Sequence, residues 1–216
     1  MKKFILCLTI LAALNTAALA DVMLGSWEGV TDGWIDWSGS HPSIGDATMM
    51  PSKYQYATIG ATAGSQSLRL IKDGWNQNLA LGMDYNQRVA FMANTKFAID
   101  VTVPADIAGD GANDGYAQIY NVTINAEGYG WHDQFTSVPL NFYFWDGSGE
   151  RTATLEIDYS AIKSSMPAIP GYIEIIIATN SSTGRGNFYF DNARLIPEPV
   201  TLALLGLGLT LLRKRS

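Results

Sequence analysis

Cysteine is almost absent. Cys7 is the only one, and it falls in an apolar N-terminal run that reads as a removable leader. Disulfides, thiolate metal sites and cysteine nucleophiles are thereby excluded from the rest of the chain. Cys7 also lies too far from the end of that run to be a lipid-attachment cysteine. Histidine is nearly as scarce. His41 precedes a proline and His132 stands in "GYGWHDQ", with no serine or metal-ligand spacing to join them into a triad or a zinc site. No glycine-rich phosphate loop or dinucleotide fingerprint occurs. Basic residues are few between the two ends. Of the 14 Lys+Arg, Lys2, Lys3, Arg213, Lys214 and Arg215 lie in the end segments, leaving 9; of the 20 Asp+Glu only Glu198 lies there, leaving 19, so the intervening stretch stands near −10. That balance disfavours nucleic acid and anionic lipid as partners. Low charge with abundant Gly, Tyr and Trp suits an exported β-rich domain.

Helical periodicity is also lacking, apart from possible turns over 88–93 and 161–165. What replaces it is period-two alternation in short runs separated by Gly, Asn, Asp and Pro. In "KFAIDVTVP", Phe97, Ile99, Val101 and Val103 share one face while Asp100 and Thr102 face away. In "TLEIDYS", Leu155, Ile157 and Tyr159 alternate with Glu156 and Asp158. "YQYATIG", "QSLRLI", "YAQIYNVTIN", "VPLNFYFWD", "YIEIIIATN" and "NFYFDNARLI" read as further strands. Eight or more short strands at this spacing imply an all-β fold, an antiparallel two-sheet β-sandwich of jelly-roll type.

Both ends are apolar. The first twenty residues have a basic head (Lys2, Lys3), an apolar run over 4–14 and the small-x-small end Ala18-Leu19-Ala20. This order reads as a signal peptide cut before Asp21 by signal peptidase, with a retained membrane anchor as the alternative. At the other end, 200–212 is thirteen residues with seven leucines and no charge. As a helix it spans about 20 Å, short of a hydrocarbon core of about 30 Å. Arg213, Lys214 and Arg215 follow at once and favour the cytoplasmic side. Pro197-Glu198-Pro199 precedes it, where two prolines hold the backbone extended and remove N–H donors. This three-part tail resembles the PEP-CTERM sorting signal. The resemblance implies recognition and removal of the tail by an integral-membrane exosortase, in bacteria that make extracellular polysaccharide. A plain tail anchor is the alternative. The chain thus divides into a leader 1–20, one domain over 21–195 and a sorting tail 196–216. The expected location is the cell envelope or extracellular matrix, with transient membrane anchoring.

Three segments of the domain carry a second resemblance. "LGSWEGVTDGWIDWSG" (24–39), "AGSQSLRLI" (63–71) and "NFYFDNARL" (187–195) are similar to the first strand and loop, an inner strand and the closing strand of jelly-roll carbohydrate-binding modules. The resemblance implies that Trp27 and Trp34 belong to the core. It also implies a structural calcium ion joining the first strand to the last, held here by Glu28 and Asp191, hard oxygen ligands of the kind calcium takes. The acidic loop 106–115 departs from the EF-hand pattern at Ala112 and reads as solvated.

Candidate ligand-binding residues come from the alternation itself. If Leu140 and Phe142 point to the core, Asn141, Tyr143 and Trp145 project from the other face. Aromatic rings stack on the C–H faces of sugars and amides bond their hydroxyls, so this set suits a glycan platform; packing under a loop is the alternative. Trp37, Trp75 and Trp131, beside polar residues in expected loops, are secondary candidates. Glu156 and Asp158 would lie about 6.6 Å apart along a strand, near the separation used by inverting glycosidases. An outward Glu-x-Asp pair is nevertheless ordinary solvation, and no apolar pocket is evident to raise either pKa. Asn121-Val-Thr and Asn180-Ser-Ser match glycosylation sequons but carry little weight in a bacterial context. Three functional classes follow: a glycan-binding module, a matrix protein without a soluble ligand, and a glycoside-active enzyme.

Overall fold

The computed structural model describes residues 21–30, 32–36, 54–72, 77–104, 116–133, 139–143, 150–182 and 186–197. Ala18, Ala20, Trp37, His41, Trp75, the loop 106–115, Trp145, Glu198, Pro199, Arg213, Lys214 and Arg215 lie outside them, as do the two end helices expected from the leader and tail. Among the described residues no helix is long and apolar enough to cross a membrane.

Among the described residues twelve strands form two antiparallel six-stranded sheets, the sandwich expected from the alternation. The first sheet runs β10 (Arg151–Asp158), β6 (Lys96–Val103), β12 (Gly186–Ile196), β4 (Ser67–Lys72), β3 (Tyr54–Ala57). One edge of β12 pairs with β6; the other is shared by β4 along 186–190 and by β1 (Val22–Gly25) along 193–195. The second sheet runs β2 (Trp34–Asp36), β5 (Gln77–Gly82), β11 (Ile173–Ser181), β7 (Tyr116–Ala126). There β9 (Leu140–Tyr143) and β8 (Gly130–Asp133) share the free edge of β7.

Three of these strands are additions to the sequence reading. β2 has only three residues, and β5 places Ala80 and Gly82 where a polar alternation would be looked for. β8 turns back against the end of β7, so Trp131 belongs to a strand and not to a loop.

The alternation of β6 holds: Phe97, Ile99, Val101 and Val103 are all in the core. Trp27 and Trp34 join them with no exposed surface, their rings 5.7 Å apart and tilted by 52°. Trp34 Nε1 donates to the Leu24 carbonyl at 2.8 Å, tying β2 to β1 across the two sheets. The chain turns between them around Asp32, whose carboxylate accepts the N–H groups of Ser26 and Trp27 at 2.8 and 3.3 Å.

The single described α-helix, α1 (Tyr85–Ala93), begins three residues before the expected turn. Its start is set by a capping box: Asp84 accepts the Gln87 N–H at 2.8 Å and Gln87 Oε1 accepts the Asp84 N–H at 2.9 Å, which satisfies two otherwise orphaned donors. Phe91 anchors the helix by stacking on Tyr159 at 3.9 Å, and the Tyr159 hydroxyl donates to the Phe91 carbonyl at 3.0 Å. The second expected turn is a 3₁₀ helix, Ser160–Ser165.

Candidate functional site

The second sheet turns one face to the core through Leu79, Leu81, Val122, Ile124, Ile175 and Ile177. Alternation places their neighbours on the opposite, outer face, and the register lines these up in rows. Gly82, Glu174, Asn125 and Trp131 form one row. Asn78, Ala178 and Asn121 form a second; Asn180, Gln118 and Asn141 form a third. Tyr116 and Tyr143 pair beyond it. β7 keeps this register with a bulge: the partners of Ala178 and Thr179 are Asn121 and Ile119, leaving Tyr120 as the extra residue.

These rows hold six side-chain amides, one carboxylate and no cationic side chain. Asn125 Nδ2 donates to Glu174 Oε2 at 2.6 Å, and Asn141 Nδ2 donates to the Tyr143 hydroxyl at 2.6 Å. Three amide oxygens, Oδ1 of Asn78, Asn121 and Asn141, are buried with no hydrogen-bond partner. Buried polar atoms are ordinarily satisfied, and Trp27 Nε1 and Asn94 Oδ1 share the lack away from this face, so the three oxygens do not by themselves mark a binding site.

The middle of the face is closed, with Ala80, Ile176, Thr123 and Ala178 each no more than 5% exposed. Its ends along the β7 edge are open: Tyr143 is 43% and Trp131 51% exposed. Their partners on β7 are nine residues apart. With one residue taken up by the bulge, that is about 26 Å of strand. Exposed Tyr172 stands immediately before β11. Of the residues singled out in the sequence, the structure thus places Asn141, Tyr143 and Trp131 on one face. Sequence reasoning missed Asn78, Gln118, Asn125, Glu174 and Tyr172. Their polar or aromatic type was visible, but only pairing between distant strands brings them together.

Glu28 and Asp191, joined by the calcium expectation, prove to have a common neighbour. Asp191 is fully buried and its Oδ2 accepts the N–H groups of Thr62 and Ala63 at 2.6 and 2.7 Å. Glu28 Oε1 accepts those of Ser65 and Gln66 at 2.6 and 2.8 Å. The groups turned toward both carboxylates are donors, whereas calcium needs six to eight oxygen ligands. Among the described residues no group of three or more His, Cys, Asp or Glu is placed to hold a metal ion. This donor set does not fit a cation.

Glu156 and Asp158 lie on the outer face of the first sheet, away from the amide rows. Glu156 pairs with Lys96 at 2.6 Å, and Asp158 accepts the Ser160 N–H at 2.9 Å. The hydrogen bonds from Ser160 hold the Asp158 carboxyl below its usual value, the opposite of what a general acid requires. His132 lies beside Tyr129, ring centres 4.5 Å apart.

Asp100, directly opposite Asp191 in the first sheet, is a buried carboxylate. Burial pushes its pKa up, but the Thr62 and Thr154 hydroxyls, the Asn192 amide and the Arg194 guanidinium outweigh this and hold it low. A depressed folded-state pKa stabilises above the unfolded value, about 3.9 for Asp, and that contribution is lost as pH falls through the folded value. The melting temperature is therefore expected to hold from neutrality to about pH 4 and to drop below it. A thermal scan against pH tests this, and a midpoint unchanged to about pH 2 would remove Asp100 from the account.

No protein-family model matches the chain, and no characterised protein matches it in sequence. Solved structures do match in shape. A carbohydrate-binding module of family 28 specific for non-crystalline cellulose aligns with a TM-score of 0.51 at 15% identity, covering 82% of this chain and 98% of its own. A family 22 xylan-binding domain aligns at 0.48 and 13%, covering 85% and 96%. The C-terminal family 22 module of Clostridium thermocellum Xyn10B aligns at 0.47 and 11%, covering 83% and 92%. The first of these carries the comparison: the described domain has the jelly-roll sandwich architecture found in carbohydrate-binding modules.

Proposed function

We propose that this protein is a non-catalytic polysaccharide-binding protein of the cell envelope or extracellular matrix. In this reading signal peptidase removes 1–20, and an exosortase-type enzyme acts at the tail that opens with Pro197-Glu198-Pro199. The observation that carries it is the outer face of the second sheet, where exposed aromatic rings stand at both ends of rows of side-chain amides. Rings of this kind stack on sugar C–H faces, and side-chain amides donate to and accept from hydroxyl groups.

The test is affinity electrophoresis and titration calorimetry of the full chain against a panel of soluble polysaccharides. Trp131→Ala and Tyr143→Ala should each weaken binding about 30-fold, the effect of losing about 2 kcal/mol at an aromatic hot spot. Val89→Ala, an exposed apolar residue on the helix, should leave affinity unchanged. Binding that ignores both aromatic variants would sink the site. The closed centre of the face favours a second reading, a matrix protein whose face is packed over, and absence of binding to every glycan would support it. Release of reducing ends would instead mark an enzyme. The sorting part is read separately, from the intact mass of the protein in strains with and without the exosortase.

A further inference from the structure

The loop 58–66 between β3 and β4 lies along the outer face of the first sheet. Gly60, at φ +73°, packs so closely that a Cβ would come 2.6 Å from Tyr189 Cβ and 3.0 Å from Thr102 Cβ. Beyond it the backbone presents two pairs of N–H groups. Those of Thr62 and Ala63 point at Asp191; those of Ser65 and Gln66 point at Glu28. The Ser65 hydroxyl adds a bond to Glu28 Oε2 at 2.7 Å, and the Thr62 hydroxyl reaches Asp100 Oδ2 at 2.6 Å. Gly64, at φ +78°, separates the two pairs, and a Cβ there would run into the Glu28 carboxylate.

Successive backbone N–H groups form small concavities that bind anions. Here each concavity holds a carboxylate from a different part of the chain, one just after β1 and one in β12. The partial positive charge that a divalent cation would supply comes instead from four peptide dipoles. The Ser65 and Gln66 bonds hold the Glu28 carboxyl below its usual value, as a well-stabilised anion should be.

We propose that this chain ties its first and last strands together with a peptide clasp, residues 62–66 gripped by Glu28 and Asp191, and needs no calcium at the position where its resemblance implies one. The fold is then indifferent to chelators, and the clasp is a property of the polypeptide alone.

Thermal unfolding of the full chain in detergent, with EDTA and with calcium chloride, tests this, together with Glu28→Gln and Ser65→Ala. The wild-type midpoint should be the same in both buffers. Glu28→Gln and Ser65→Ala should each lower it by a few degrees, equally in both. In EDTA, the amide hydrogens of 62, 63, 65 and 66 should exchange slowly in the wild type, and those of 65 and 66 at least about tenfold faster in Glu28→Gln. A wild-type midpoint raised by calcium, or a Glu28→Gln effect seen only in calcium, overturns the proposal. So does a Glu28→Gln protein with unchanged midpoint and exchange. If Glu28→Gln does not fold, the wild-type comparison and Ser65→Ala decide the matter by themselves.

Discussion

Trp34→Ala is expected to destabilise the fold by about 3–5 kcal/mol, the range for truncating a fully buried large aromatic. Trp34 has no exposed surface and packs on both Trp27 and Phe97. Its strand pairs with β5 over only three residues, so the ring is the main thing holding β2 in place. Gly25 leaves no room for an alternative: a Cβ there would lie 2.7 Å from Trp34 Nε1 and 2.9 Å from the Trp27 ring. Trp34→Phe separates the contributions. It keeps much of the apolar surface but leaves the Leu24 carbonyl without its donor, at about 1–3 kcal/mol. Urea unfolding followed by far-ultraviolet circular dichroism measures both. A Trp34→Ala loss under about 1 kcal/mol would mean the site collapses around the missing ring.

Asp191→Ala should cost about 2–3 kcal/mol. It strips the acceptor from three part-buried backbone N–H groups, those of Thr62, Ala63 and Asn192, and a donor left unsatisfied costs about 1–3 kcal/mol when buried and less where water replaces the acceptor. An opposing effect exists, because Asp191 stands directly across from Asp100. Removing one of two facing like charges relieves repulsion, but cross-strand pair effects run only about 0.2–1 kcal/mol. The orphaned donors therefore win. Asp191→Asn should also destabilise, since an amide nitrogen would meet N–H groups that need an oxygen. Chemical unfolding gives both values, and an Asp191→Ala protein as stable as the parent would show that repulsion between the two carboxylates outweighs the loop contacts.

How much of this was legible in the sequence depends on the range over which each signal acts. Alternation in β6 and β10 is local, and it placed the core faces of those strands correctly. It also placed Asn141 and Tyr143 on the side away from the core. The start of α1 was equally local, written in Asp84 and Gln87, yet the apolar pattern of 88–93 drew attention past it. Asp100 does face away from the core, but it is buried because a loop some forty residues earlier lies over it. Trp131 stands between Gly130 and His132, neighbours that read as a loop, although they belong to the strand β8. Glu174 and Asn125 could not be paired from sequence, because their contact depends on the register of β11 against β7. Asn141, Tyr143 and Trp131 were thus readable, and Tyr172, Glu174 and the other amides were not.

The position of β12 governs the order in which the molecule can assemble. It alone joins β1, the pair β3–β4 and the pair β6–β10 into one sheet. A chain made from its N-terminus onward produces those three pieces well before residues 186–196 exist. Until then the inner edges of β4 and β6 carry unpaired N–H and C=O groups, which are templates for wrong partners. Closure of the first sheet is therefore a late event that brings together segments far apart in the chain, so contacts of long sequence separation set the pace of folding.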